Sequence, residues 1–358
     1  MDLTLNDDQR LLAESARQLF ERSYTTESAR EAEAAPDGYS VELWKQACEL
    51  GWPGIAIPED DGGAGYGVLE LAVLAEELGR GAATLPLLSS YAATLPLMWS
   101  GSDELRDRWL APLAGGDAIA ALAVIDPHSD DVLHGTSLSG TKVAVPFGAV
   151  ADLLVVSVDV GELVLLAVPA DAPGVTIERH DTFAPEPFAA VTFRDVTVSG
   201  DNIVGDVAVL QRALAHQTTV DTAYAVGLAS GALLLAVDHA SNREQFGRPI
   251  GVNQAVSHQC VDMRVEIDAM RVLVQQAAWR LDRYDDDSVG AMRAVALANA
   301  YARDVLPGIF ARAHQVHGAI GFTMEYDLQL FTRRAKAYEL TGGSAAHHLE
   351  AVARAIGL

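Results

Sequence analysis

Basic residues are scarce in this 358-residue sequence, where 25 Lys and Arg face 49 Asp and Glu for a formal charge of −24. A field of that sign repels phosphate backbones and anionic headgroups, so binding to nucleic acid or to a membrane surface is not expected. It also disfavours a nucleotide or thioester ligand unless basic side chains gather at its entry. Cysteine is scarcer still: Cys48 and Cys260 are the only two. Two isolated thiols in apolar helical stretches build neither a disulfide framework nor a zinc site, so their expected role is packing and no metal centre is expected. The opening MDLTLNDDQRLL carries acids where a signal peptide carries Lys or Arg, and no uninterrupted apolar run reaches the roughly 18 residues of a membrane span. A cytoplasmic protein is expected.

Half of the residues are apolar and 21% charged, a balance that folds into a core instead of staying disordered. Asn6 with Gln9 forms a capping-box pattern, and Leu12, Ala16, Leu19 and Phe20 recur at helical spacing, predicting a helix over 7–22. A polar Ala/Glu-rich connection follows, then helical patterns at 40–50, 67–80 and 103–113. Between the stretches at 40–50 and 67–80, GWPGIAIPEDDGGAGYG at 51–67 is too rich in Gly and Pro for regular structure. From about Ala118 the pattern changes to short Val-rich runs parted by Gly, Pro or Asp, which predict six or more strands. After Val207, long Ala/Leu-rich stretches at 207–242, 252–284, 289–317, 325–339 and 343–356 predict helices again. The expected domains are therefore helical over 1–116, β over 117–205 and a helical bundle over 206–358. Grouping by type disfavours a doubly wound parallel sheet.

Two stretches of the bundle carry chemistry. Arg243-Glu244-Gln245-Phe246-Gly247-Arg248-Pro249-Ile250 leaves a long helix through a Gly/Pro turn; its Arg is either simply solvated or, with Gln and Phe, grips a phosphate and an aromatic base. Gln315-Val316-His317-Gly318-Ala319-Ile320-Gly321-Phe322-Thr323 sets two glycines between helices, with Glu325 expected to open the next. These glycines are either plain helix caps or allow backbone amides to approach a ligand.

Taken in order, four blocks make the chain resemble the acyl-CoA dehydrogenase family over nearly all its length. They are the loop with Gly51, Trp52, Gly54, Pro58, Glu59, Gly62, Gly63 and Gly65, the segment VTFRDVTVSGDNIVG at 191–205, REQFGRPI followed by Gln254, and QVHGAIGFTMEYD from Gln315. The resemblance implies an N-terminal all-α domain, a β-barrel-like middle domain and a C-terminal four-helix bundle. It also implies FAD at a subunit interface, an acyl-CoA thioester substrate and an electron-transfer acceptor. By the same resemblance Arg243, Gln245, Phe246, Gln254, Gln315 and Gly318 are cofactor contacts given to a partner.

The family reaction needs a carboxylate to take the α-proton while the β-hydrogen leaves as hydride. The positions that carry this base in the family match Gly342 here and, in other branches, Gln217 or Tyr224. None is acidic. Asp221 shares a helix face with Gln217 and Tyr224 and is either a relocated base or a surface carboxylate; Glu339 is expected to pair with Lys336. The flavin-side pattern also departs, with Ile125, Asp126, Pro127, His128, Ser129 and Asp130 in one loop and Val145, Pro146, Phe147 and Gly148 in the other. Retained cofactor contacts beside a missing base are similar to the short subunit of actinobacterial sterol side-chain dehydrogenases, which form two-plus-two heterotetramers. The AYAVGL stretch at 223–228 carries part of that likeness. The competing expectations are a self-sufficient homo-oligomeric dehydrogenase of an acyl-CoA or a carrier-bound acyl group using Asp221, and a flavin-free structural relative.

Overall fold

The capping box that opens the chain forms as expected: Gln9 donates its backbone N–H to the Asn6 carboxamide at 2.8 Å and the Gln9 side chain accepts from Asn6 at 2.9 Å. It starts α1 (Asp7–Ser23), with acids in its first turn and Arg22 in its last, as the helix dipole favours. The computed structural model describes residues 4–126 and 132–358. By packing, the described chain falls into two compact units. One holds the chain up to Arg30, Val68–Ala83 and Thr218–Leu358; the other holds Glu31–Gly67 and Thr84–Gln217.

The second unit is built on α3 (Val41–Glu49), α5 (Leu87–Ser100), α6 (Asp103–Gly115) and eight strands. Strands β1 (Ala120–Ala123), β4 (Leu153–Asp159), β5 (Leu163–Pro169) and β8 (Ile203–Asp206) form one sheet in that order, with β1 parallel to β4. Strands β2 (Val132–His134), β3 (Ser137–Pro146), β7 (Phe188–Thr197) and β6 (Val175–His180) form the other, all antiparallel. The first sheet is covered on both faces. Leu153, Val155, Leu165 and Ala167 point into a core shared with Ala93, Leu97, Leu110 and Leu113 of the helices, while Leu154, Val156, Leu166 and Val168 pack with Val191 and Phe193 of the other sheet. Burial on both faces is why β4 and β5 read as continuous apolar runs and not as alternating ones.

In the first unit α1 lies along α4 (Val68–Arg80), and the rest is the bundle: most of α7 (Val207–Asn242), then α8 (Gln254–Leu281), α9 (Ser288–His317), α10 (Leu328–Leu340) and α11 (Ala345–Ala355). Arg17 grips the buried Glu77 through Nη2 at 2.5 Å and Nε at 3.1 Å, and this bond raises the affinity of the Arg17 guanidinium for its proton. Helix α4 begins without a side-chain cap of its own; Asp282 supplies one, accepting from Val68 at 2.7 Å and Leu69 at 3.3 Å. Burial pushes the Asp282 carboxyl up to about 6 despite these two bonds. Where α4 meets α7 the backbones themselves touch. A Cβ on Gly79 would lie 2.0 Å from the Tyr224 carbonyl oxygen and one on Gly227 would lie 2.0 Å from that of Glu76, so only glycine fits at either position.

Several expectations are corrected. The Ala/Glu-rich connection after α1 contains a helix, α2 (Thr26–Ala34), and α5 lies where none was expected. The helix expected to open at Glu325 begins at Leu328, because the Glu325 carbonyl and the Asp327 carboxylate both accept from Arg30 and hold the preceding turn in place. Residues 244–249 are not a bare turn but a two-residue hairpin, β9 (Glu244–Gln245) with β10 (Arg248–Pro249). Among the described residues α7 is long and apolar enough to cross a membrane, yet 67% of its most apolar window is buried within the protein. Among the described residues no cluster could hold a metal ion, and Cys48 and Cys260 are half-buried helix residues whose thiols are pushed up by burial.

Candidate functional site

The two bundle motifs come together at one end of α7 and α9. His239, one turn before Arg243, sets its ring 4.8 Å from that of His317, which in turn meets Tyr326 at 5.0 Å. Gln315 and Gly318 flank this His317. His314, one turn back on α9, stacks on Phe322 at 4.5 Å and shares a 2.9 Å hydrogen bond between its Nε2 and the Thr332 hydroxyl. Burial, then the neighbouring His317, lowers the proton affinity of both His239 and His314. The histidines were not singled out from the sequence, although each stands within four residues of a motif.

The side chains at this end face outward. Arg243, Gln245, Gln254, Gln315 and Gly318 are all exposed, and Phe246 is 97% exposed. Phe246 also sits at φ +55°, a left-handed conformation that costs a bulky residue on the order of 1–2 kcal/mol. The hairpin is closed by Ile250 donating to the Arg243 carbonyl at 2.9 Å, and Gly247 follows at φ +75°. An aromatic ring held in water by a strained turn contributes nothing to the packing of its own chain. Gly318, at φ +65° with open space where a Cβ would stand, leaves room for close approach beside a surface of guanidinium, carboxamides and one ring, its own amide donating to the His314 carbonyl. Such a surface suits a phosphate-bearing ligand with a planar base, so these residues fit a dinucleotide. Beside it a groove of about 420 Å³ runs between α9 and α10, lined by Phe310, His314, Phe322, Met324, Arg333 and Lys336 among others.

The base positions lie elsewhere. Gln217, Asp221 and Tyr224 are all half-buried on α7, and Gly342 is exposed after the end of α10. The surroundings of Gly342 and Asp221 are polar and tightly cross-linked. The Thr222 hydroxyl donates to the Asn299 carboxamide oxygen at 3.0 Å and meets the Tyr338 hydroxyl at 3.0 Å, which also reaches Asn299 at 3.3 Å. Arg303 donates through Nη1 to the carbonyls of Tyr338 at 2.6 Å and Glu339 at 3.2 Å, and its guanidinium lies 4.3 Å from the Tyr338 ring centre. Burial pushes the Tyr338 phenol up to about 12, the Arg303 charge works against that shift, and the charge of Asp221 adds to it. A Cβ at Gly342 would stand 2.8 Å from Arg303 Nη2. A cation thus occupies the place beside the position where the sequence comparison looks for an anion.

None of Arg303, Tyr338, Asn299 or Thr222 was singled out from the sequence. The available signal was spacing: Ala296, Asn299, Ala300, Arg303 and Leu306 follow one helical stripe whose other members are apolar or amide, so a charge there had to be buried. Glu339 pairs with Lys336 at 2.5 Å, as expected. On the β side, Asp126 pairs with the buried Lys142, whose Nζ also reaches the Ser157 hydroxyl at 3.5 Å; Pro127, His128, Ser129 and Asp130 lie outside the described residues.

Residues 6–117 match the family described as acyl-CoA dehydrogenase, N-terminal domain, and residues 207–357 match acyl-CoA dehydrogenase, C-terminal domain. The chain is 31% identical over 318 residues to the acyl-CoA dehydrogenase FadE28 of Mycobacterium tuberculosis, covering 86% of this chain and 90% of that one. Among solved structures, it is similar to a chain of the ChsE4-ChsE5 complex from Mycobacterium tuberculosis, with a TM-score of 0.92, 28% identity and 99% of each chain covered. The Tcur3481-Tcur3483 steroid ACAD G363A variant matches with a TM-score of 0.85 and 31% identity, over 99% of this chain and 98% of that one.

Proposed function

Because the chain belongs to the acyl-CoA dehydrogenase family, we propose that it is a subunit of an FAD-dependent enzyme that desaturates an acyl-CoA thioester between its α and β carbons, and that it is the partner lacking its own base. The observation that carries this reading is the outward, strained Phe246 beside Arg243 and Gln245, at the same bundle end as Gln315 and Gly318. Arg243 would hold the pyrophosphate, while Phe246, Gln245, Gln254 and Gln315 would receive the adenine side, with Gly318 leaving room for its close approach. FAD held there would supply a hydride acceptor for the β-hydrogen, and the α-proton of the thioester would go to a carboxylate. With Gly342, Gln217 and Tyr224 at the family's base positions, the carboxylate is assigned to a homologous catalytic subunit. Likeness to a chain of a two-component complex and to a steroid enzyme supports both the partner and a steroid or other lipid acyl group.

Asp221 supports a second reading, a self-sufficient dehydrogenase acting as a homo-oligomer, because it is the carboxylate on the stretch of α7 that carries Gln217 and Tyr224. The ratio of FAD to chain separates the two. One flavin per two unlike chains in the natively assembled complex, with Arg243→Ala and Phe246→Ala each lowering FAD content, supports the partner reading. A yellow, active homo-oligomer that Asp221→Asn inactivates sinks it in favour of the second.

A further inference from the structure

Arg30, on α2, reaches across 297 residues of sequence to the turn that follows Gln315 and Gly318. Its Nη2 donates to the Asp327 carboxylate at 2.8 Å and to the Glu325 carbonyl at 3.0 Å, and its Nη1 donates to the Thr26 carbonyl at 3.3 Å. Thr26 in turn donates its hydroxyl to the other Asp327 oxygen at 3.0 Å. A lone exposed ion pair contributes little, but here both carboxylate oxygens are engaged and the Arg30 and Asp327 side chains are only 26% and 32% exposed. Asp327 also stands at the N-cap of α10, where an aspartate ordinarily accepts from the first helical amides, yet its side chain makes no such bond. The carboxylate is committed to α2 instead of to its own helix.

This grip falls on either side of Tyr326. The Tyr326 ring meets that of His317 at 5.0 Å, and His317 is itself buried, donating from Nδ1 to the Ala313 carbonyl at 2.7 Å and meeting the His239 ring at 4.8 Å. His317 follows Gln315 by two residues and precedes Gly318 by one, while His239 stands one turn before Arg243. Holding the turn at 325–327 therefore bears, through two ring contacts, on both stretches that carry the cofactor contacts. Arg17 offers a contrast from the same end of the chain, because its bond to Glu77 joins α1 to α4 instead.

We propose that Arg30, seconded by Thr26, is a positioning residue for FAD binding: it holds the 325–327 turn, and through Tyr326 and His317 the backbone that presents Gln315 and Gly318, in the arrangement that receives the cofactor. The inference rests on the reading of those residues as FAD contacts. Arg30 touches no ligand in this role. It acts on affinity by narrowing the arrangements that the contact surface samples before binding, so that less freedom is lost when the cofactor arrives.

The test compares Arg30→Ala, Arg30→Lys and, as a control that breaks a cross-link between other helices, Arg17→Ala, each in the native assembly. Hydrogen exchange of the amides at 315–326 is read beside the dissociation constant for FAD. Arg30→Ala should speed that exchange and weaken FAD binding roughly three- to tenfold. Arg30→Lys, which keeps the charge but reaches fewer acceptors, should recover part of both, and Arg17→Ala should lower Tm while leaving both unchanged. If Arg30→Ala does not fold, Thr26→Val, which removes the second bond to Asp327, should show the same pair of changes at smaller size. Unchanged exchange, faster exchange with unchanged FAD affinity, or equal weakening by Arg17→Ala overturns the positioning role. Arg243→Ala then tells the two failures apart: FAD lost with that variant leaves the cofactor surface standing and strikes only the role of Arg30, whereas FAD retained sinks both.

Discussion

The two ends of the bundle's chemistry are built in opposite ways. Around Arg303, polar side chains are buried and satisfied largely by one another, so each contributes to holding α7, α9 and α10 together. Around Phe246 and Gln315, polar and aromatic groups are exposed and the turn that carries them is strained. Groups that stabilise their own fold and groups kept for something outside it can be told apart by what their removal costs.

The largest cost should come from the buried side. Asn299→Ala deletes the acceptor shared by Thr222 and Tyr338 and opens a cavity at a fully buried position, so urea unfolding should show a loss of about 2–4 kcal/mol. Tyr338→Phe keeps the ring beneath Arg303 and removes only the hydroxyl, so the loss should fall to about 1–2 kcal/mol. At the exposed end the sign reverses: Phe246→Gly relieves the left-handed strain and should raise stability by about 0.5–1 kcal/mol while weakening FAD retention. Arg243→Ala should move stability by less than about 0.5 kcal/mol. A loss of several kcal/mol there would erase the contrast.

The smallest effect concerns pH. His239 has a lowered native proton affinity, so its contribution is whole above the unfolded value of 6.5 and is lost as pH falls below it, because the unfolded chain then binds more protons. His239→Gln should flatten the acid side of a Tm-versus-pH curve slightly. An unchanged curve would mean that His239 beside His317 contributes nothing to the acid sensitivity of the fold.

Much of the architecture was legible because long bundle helices repeat apolar residues at helical spacing, and α7 in particular runs over 207–242 as expected. Helix α5 escaped because nearly every residue of LLSSYAATLPLMWS is buried, leaving no polar face to reveal a period, and Pro96 interrupts the run. Strands β2 and β8, of three and four residues, are too short for any alternation to show. Motifs fared better than environments. The exposed Arg243, Gln245 and Phe246 can be named from their residue types, whereas the cation beside Gly342 arises from three helices meeting, and no local pattern records that.

The touching backbones at Gly79 and Gly227 bear on how the molecule is made. Helix α4 leaves the ribosome long before α7, and its glycine face has nothing to seat against until the last third of the chain has been synthesised. A fragment ending before α7, or one beginning with it, therefore keeps an open seam instead of a finished core, and neither should survive as an independent folding unit. The chain's final shape waits on its C-terminal third, and so does any partner that must recognise it.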